Sequence, residues 1–204
     1  MKLYYWLIFY LTKFGGRAFF KLRILHRDRM INRGPAIIAA NHGSYLDPLL
    51  VGICCDRAIF YLARRTLLDG AFFGWLLPQL NVIPVDQEGN DRSALKAMIR
   101  TLKAGEGVLV FPEGERTYDG QMGKALPGLG FVIAKSRAPV VPIRIFGARE
   151  VLPRGAKRLH MHPITIVIGE PIVCSPADLG SDGKDVYAQL SQRVMDAIAA
   201  LTIE

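Results

Sequence analysis

Pro35-Ala36-Ile37-Ile38-Ala39-Ala40 carries no polar side chain at any position. Such a run reads as a strand buried on both faces, which calls for helices covering the sheet above and below. Asn41-His42-Gly43-Ser44-Tyr45-Leu46-Asp47-Pro48 follows it directly. A histidine and a carboxylate therefore leave the end of a buried strand together, where open α/β sheets place their chemistry. On one continuous helix a five-residue offset would set His42 and Asp47 about 140° apart, since each residue advances about 100°. They meet only if the chain turns between them. Asp is a favoured N-cap and Pro a favoured first helical residue, so a helix is expected from Pro48, capped by Asp47, with His42 on the loop before it. On these residues alone, His42 is either a general base steered by a carboxylate or a surface histidine beside a helix cap.

Two more apolar runs end in polar loops. Leu109-Val110-Phe111 leads into Pro112-Glu113-Gly114-Glu115-Arg116-Thr117, and Val140 to Phe146 leads into Gly147. Gly105, Gly107 and Gly114 suit positive φ or close backbone approach there. Further strands are expected near 58–62, 82–85 and 164–169. Asp91 reads as the cap of a helix with Leu95, Met98, Ile99 and Leu102 on one face. Another helix is expected within Leu129 to Lys135. A closing helix, about 184–202, follows a turn at Asp182-Gly183 and turns Val186, Leu190, Val194, Ile198 and Leu201 inward. This alternation predicts an α/β fold, a partly parallel mixed sheet flanked by helices.

With 26 Lys and Arg against 18 Asp and Glu, the net charge of +8 suits nucleic acid, anionic lipid or a phosphorylated substrate alike. No helix-turn-helix, zinc-ligand or aromatic RNA-binding signature is present, so no nucleic acid is expected. Residues 1–29 hold seven basic residues against Asp28 alone, interleaved with eight aromatics. The apolar run from Leu3 to Thr12 would reach about 15 Å as a helix, half of a ~30 Å hydrocarbon core, and no signal-peptide cleavage pattern follows. Residues 1–29 are therefore read as an N-terminal amphipathic two-helix membrane anchor broken near Gly15-Gly16, ahead of one α/β domain over 30–204. The alternative is a pair of helices packed on that domain with solvated cations. Leu67 to Leu80, apolar beyond the needs of a crossover, is either core or, in part, the lining of an apolar tunnel or a segment that dips into the bilayer. Cys54, Cys55 and Cys174 suggest neither a disulfide frame nor a metal site, and read as small buried hydrophobes in a reducing compartment.

The polar exits resemble, in order and spacing, the blocks of the 1-acylglycerol-3-phosphate (lysophosphatidic acid) acyltransferase family of glycerolipid acyltransferases. Asn41, His42 and Asp47 match its Asn-His-x4-Asp block, Phe111 to Thr117 its Phe-Pro-Glu-Gly-x-Arg-Ser/Thr block, and Val141-Pro142-Ile143 its Val-Pro block. The likeness covers about residues 30–173. The chain departs from the family at Gln87, where the second block normally ends in Arg, and at Leu126 before Pro127-Gly128, where a Lys is common and Lys124 lies two residues earlier.

The resemblance implies acyl transfer from an acyl-carrier-protein or coenzyme A thioester to the sn-2 hydroxyl of lysophosphatidic acid, with His42 as base and Asp47 fixing its tautomer. The alternatives are transfer to another lyso-lipid, such as a lyso-aminolipid, which the departure at Gln87 leaves open, and a lipid-binding or hydrolytic module using the same pocket. The thioester is the only co-substrate implied; no other cofactor and no metal are expected. Glu113, Gly114, Arg116 and Thr117 are the expected substrate-binding residues. Arg116 is assigned to the phosphate because a guanidinium grips its oxygens in pairs. Glu113 orders the loop, pairs with an Arg or bonds the glycerol. Arg92 is the first candidate to compensate for Gln87, ahead of Arg64 and Arg65. Ser44 is expected to serve the turn, and loop amides at Gly43-Ser44 or Gly114 to hold the oxyanion. The expected location is peripheral or monotopic, on the cytoplasmic face of the cell membrane, with anionic bilayer lipid as a partner.

Overall fold

A computed structural model of the protein describes residues 3–85, 92–156, 158–175, 178 and 183–203. Among these, seven strands form one sheet: β1 (Arg23–Leu25), β2 (Ala36–Ala40), β3 (Phe60–Arg64), β4 (Val82–Val85), β5 (Gly107–Val110), β6 (Val140–Phe146) and β7 (Thr165–Ile168). Their order is β1-β7-β6-β2-β5-β3-β4, and only the β6–β7 pair is antiparallel.

The expected mixed sheet is present, with β2 at its centre. All five β2 residues are fully buried, as a strand without polar side chains must be. The pleat sends Ile37 and Ala39 to one face and Ile38 and Ala40 to the other. The first face is covered by α4 (Arg92–Lys103), α5 (Gly128–Ser136) and α7 (Lys184–Ala199), through Met98, Leu102, Val132, Leu190 and Val194. On the second lies α2 (Asp47–Gly52), with Leu50, Val51 and Cys54, and α1 (Leu3–Phe20) packs outside it. Two short helices, α3 (Ala71–Leu76) and α6 (Ala148–Val151), lie between strands. Because β5, β2 and β6 are neighbours and parallel, their carboxyl ends open on one edge. The three polar exits therefore converge.

The N-terminal segment differs from expectation. It is one 18-residue helix, continuous through Gly15-Gly16. The glycine serves contact rather than a break: a Cβ on Gly16 would press on Leu22, whose N–H donates to the Gly16 carbonyl at 3.2 Å. The helix ends one step later, at Lys21 with φ of 46°. Arg23–Leu25, inside the segment assigned to the anchor, is strand β1 and pairs with β7. No helix among the described residues is long and apolar enough to cross a membrane.

Cys54 and Cys55 are buried, and burial pushes the Cys55 thiol up to about 12 and the Cys54 thiol well above its ordinary value. Both act as small apolar groups whose S–H points at a backbone carbonyl of their own helix turn.

Gly130 lets α5 approach α7: a Cβ there would overlap the Tyr187 backbone carbonyl, and the Gly130 N–H donates to buried Ser191 Oγ at 2.8 Å. Replacing a helical Gly by Ala gains about 1 kcal/mol of propensity, but overpacking against backbone costs more. Gly130→Ala is expected to lower stability by about 1–3 kcal/mol, measured as a shift in the urea unfolding midpoint at constant slope.

Candidate active site

His42 Nδ1 lies 2.9 Å from Asp47 Oδ2. The two groups are brought together, although not by the expected cap. Asp47 is the first residue of α2, Leu46 occupies the cap position, and Pro48 falls in the first helical turn. The carboxylate turns backward instead, and Oδ2 also accepts the N–H groups of Gly43 at 2.8 Å and Ser44 at 2.7 Å. Its side chain is 1% exposed, and a polar group buried that far needs such partners. Donation from Nδ1–H to Oδ2 leaves Nε2 as the acceptor. Phe111 stacks on the imidazole, centroids 3.9 Å apart and planes 11° off parallel, which fixes the ring plane.

Neighbouring residues hold this turn. The Asn41 amide donates to the Ile145 carbonyl at 3.1 Å and accepts its N–H at 2.7 Å, tying the end of β2 to β6. Ser44 Oγ donates to the Leu152 carbonyl and accepts the Leu46 N–H, the turn duty expected of it. The amides considered for the oxyanion are engaged elsewhere. Those of Gly43 and Ser44 serve Asp47, and that of Gly114 donates to the Phe111 carbonyl at 3.0 Å.

The loop after β5 is built onto the first. Glu113 Oε1 accepts the His42 N–H and Oε2 the Gly123 N–H, both at 2.9 Å. Of the three roles open to Glu113, ordering the loop is the one observed, and its oxygens bond these amides rather than Arg116. The Thr117 N–H donates to the His42 carbonyl at 2.9 Å, and its hydroxyl donates to the Gln121 carbonyl at 2.7 Å. Gly114 has φ of 75°, and a Cβ there would overlap Leu126.

Arg116 lays its guanidinium 3.4 Å over the ring of Tyr45, and its Nη1 is buried without a hydrogen-bond partner. Arg154 repeats the motif 3.7 Å over Tyr118, donates to the Arg116 carbonyl and pairs with Glu115 at 3.3 Å. Arg149 donates to the Tyr118 carbonyl. A polar cavity of about 160 Å³ beside the pair is lined by Asn41, Gly43, Asp47, Thr117, Arg144 and Arg149. Tyr45, Arg149 and Arg154 escaped the sequence reading. The signal for Tyr45 was an aromatic inside the His-x4-Asp spacing, opposite a loop arginine.

Arg92 is exposed at the start of α4 and takes no part in the hydrogen bonds that join these loops. Gln87, Asp91 and Asp182 lie outside the described residues. Leu67 and Trp75 are 41% and 50% exposed, and Trp75 meets Tyr4 of α1 edge-on, so this stretch joins α1 rather than the core. Among the described residues no group of three or more His, Cys, Asp or Glu is placed to hold a metal ion.

A family model described as Acyltransferase matches residues 22–146, more than half of the chain. The chain belongs to the acyltransferase family. The matched region contains His42, Asp47 and the whole Glu113–Thr117 loop, and excludes α1, Arg149 and Arg154. The chain is 28% identical over 151 residues to a chloroplastic 1-acyl-sn-glycerol-3-phosphate acyltransferase of Brassica napus, a match covering 72% of this chain and 44% of the plant protein. It is 27% identical over 155 residues to the 1-acyl-sn-glycerol-3-phosphate acyltransferase of Bacillus subtilis, covering 74% and 73% of the two chains. The chain thus spans less than half the length of the plant relative. The crystal structure of the 1-acyl-sn-glycerophosphate acyltransferase PlsC of Thermotoga maritima shares the fold, with a TM-score of 0.73, 22% identity and coverage of 98% and 83%.

Glu113→Gln sets an NH2 donor against one of the two N–H groups the carboxylate now accepts. The variant is expected to lose about 1–3 kcal/mol and to show faster hydrogen exchange at Gly123 and Thr117, with the sheet amides unchanged.

Proposed function

We propose that the protein transfers an acyl group from an acyl-carrier-protein or coenzyme A thioester to the sn-2 hydroxyl of 1-acylglycerol 3-phosphate, giving phosphatidic acid. The observation that carries this reading is the 2.9 Å contact between His42 Nδ1 and buried Asp47 Oδ2, which leaves Nε2 free to accept a proton at the carboxyl edge of the sheet. The names of the relatives support the substrate class.

In this mechanism His42 Nε2 takes the proton of the hydroxyl as its oxygen attacks the thioester carbonyl. The new C–O bond forms, the C–S bond breaks, and the imidazolium returns the proton to the leaving thiolate. Asp47 stabilises that imidazolium and holds its tautomer. Arg116 receives the phosphate: it is held in place by Tyr45 and has a guanidinium nitrogen with no protein partner. Arg149 and Arg154 lie near enough in the fold to share the phosphate field, and take the compensating role first considered for Arg92.

The substrate is a lipid, and the surface of α1 supports a location at a bilayer. Leu3, Leu7, Leu11, Phe14 and Phe19 are each at least half exposed, beside Arg17 and Lys21. We place the protein on the cytoplasmic face of the cell membrane as a peripheral or monotopic enzyme.

Free thiol is followed with the thioester and lysophosphatidic acid. Release that requires the acceptor supports transfer, whereas release without it points to hydrolysis. His42→Ala is expected to slow turnover by about 10²–10⁴-fold with both KM values little changed. Arg116→Ala should raise the acceptor KM by about 10–100-fold, and an effect confined to the thioester KM overturns the phosphate assignment. Competition among lysophosphatidic acid, lysophosphatidylcholine and a lyso-aminolipid tests the head group, and lysophosphatidic acid should win.

A further inference from the structure

Arg158, Leu159, His160, Met161, His162 and Pro163 are six consecutive exposed residues between α6 and β7. Leu159 is 57% and Met161 71% exposed, a large apolar area to leave in water on a loop. Both side chains also line an apolar groove of about 470 Å³, with Leu11 and Phe19 of α1 on the other side and Leu46 and Leu49 at its floor.

The loop is fixed to α6 at His160, and its end is fixed to α1 at Ile164. The His160 N–H donates to the Val151 carbonyl and the Ile164 N–H to the Phe20 carbonyl, both at 2.9 Å, while the Arg23 N–H donates to the Ile164 carbonyl at 3.0 Å. The groove therefore has two rims held at a set spacing, each with exposed apolar side chains: Leu11 and Phe19 on α1, Leu159 and Met161 on the loop. Charge follows the same plan. Arg17, Lys21 and Arg158, each next in sequence to a lining residue, are exposed, as is Arg23, and neither 3–25 nor 158–163 contains an acidic residue.

We propose that the Arg158–Pro163 loop is a second membrane-contacting element. Leu159 and Met161 enter the hydrocarbon boundary of an anionic bilayer beside Leu11 and Phe19, while Arg158, Arg17 and Lys21 meet the head groups. The inference rests on the reading of α1 as an interfacial helix. A second copy of the chain is a poorer occupant, because it would set one cationic rim against another. Contact through both rims turns the groove mouth to lipid, and its floor residue Leu46 directly precedes Asp47. The loop thereby sets the cleft at the level of the head groups.

Full-length protein is sedimented with mixed phosphatidylcholine–phosphatidylglycerol vesicles and with pure phosphatidylcholine vesicles. The Leu159→Glu/Met161→Glu double variant is expected to bind the anionic vesicles at least about tenfold more weakly, with an unchanged melting temperature. The milder Leu159→Ser/Met161→Ser pair carries the test if the charged pair fails to fold. Phe19→Glu separates the two levels. Loss with Phe19→Glu but full binding by both loop variants overturns this inference and leaves α1 as the contact. Full binding by all three removes the membrane reading as well. A concentration-dependent dimer that the loop substitutions dissolve, with vesicle binding intact, assigns the surface to a second copy and also overturns the proposal.

Discussion

Three N–H groups converge on one oxygen, Asp47 Oδ2: the ring of His42 and the amides of Gly43 and Ser44. Hydrogen bonds to an ionised acceptor are about twice as strong as neutral ones, and these lie in a protein interior where water competes little. The carboxylate that orients the imidazole thus also closes the turn that carries it. A cap at Asp47 would have served the amides of α2. Turned backward, it serves the amides of the loop, and α2 starts one residue earlier. Fixing the backbone at His42 fixes the second loop in turn, because the His42 N–H is held by Glu113 and its carbonyl by Thr117.

The second loop contains three carboxylates and still presents positive charge to the cleft. Glu113 is occupied by two amides, and Glu115 is drawn to Arg154. Asp119, held below the usual carboxylate range by the Gln121 amide and the Thr117 hydroxyl, is committed to its own turn. Arg116 is matched instead with the face of Tyr45 and keeps its full charge. For a phosphorylated acceptor this division matters, because an arginine already paired with a carboxylate would have to exchange one anion for another. Stacking on an aromatic holds the guanidinium in place without neutralising it.

How much of this is legible in the sequence depends on whether a residue's partner is local. The apolar run at 36–40 specifies a central strand because burial on both faces leaves no room for polar residues. The three exits could be recognised one by one, and their meeting follows once β5, β2 and β6 are adjacent and parallel. What escaped depends on distant partners. The continuity of α1 through Gly15-Gly16 is decided by Leu22 packing on Gly16, which no helix propensity encodes. Strand β1 is three residues long and exists through its pairing with β7, more than a hundred residues away. The commitment of the Gly43 and Ser44 amides likewise follows from the backward turn of Asp47, whereas Asp-Pro taken alone signals a cap.

The position of α1 follows from a few polar atoms rather than from its apolar surface. At 18 residues it extends about 27 Å, yet only Tyr5, Phe9 and Gly16 are buried against the domain. Tyr5 supplies the specific contact: its hydroxyl lies 3.0 Å from that of Tyr61 and accepts the Ile59 N–H at 3.1 Å. Burial raises both phenols above their ordinary value, so the pair remains neutral and needs no counter-charge. Tyr61 in turn lies against Gly52 at the end of α2, where a Cβ would overlap its hydroxyl. The helix that exposes apolar surface and the helix that carries Asp47 are therefore locked to the same strand. The bilayer contact proposed for α1 would hold the sheet edge, and with it His42, in one orientation, because α1 cannot turn without breaking the Tyr5–Tyr61 hydroxyl contact and α2 packs through Gly52 on the same tyrosine.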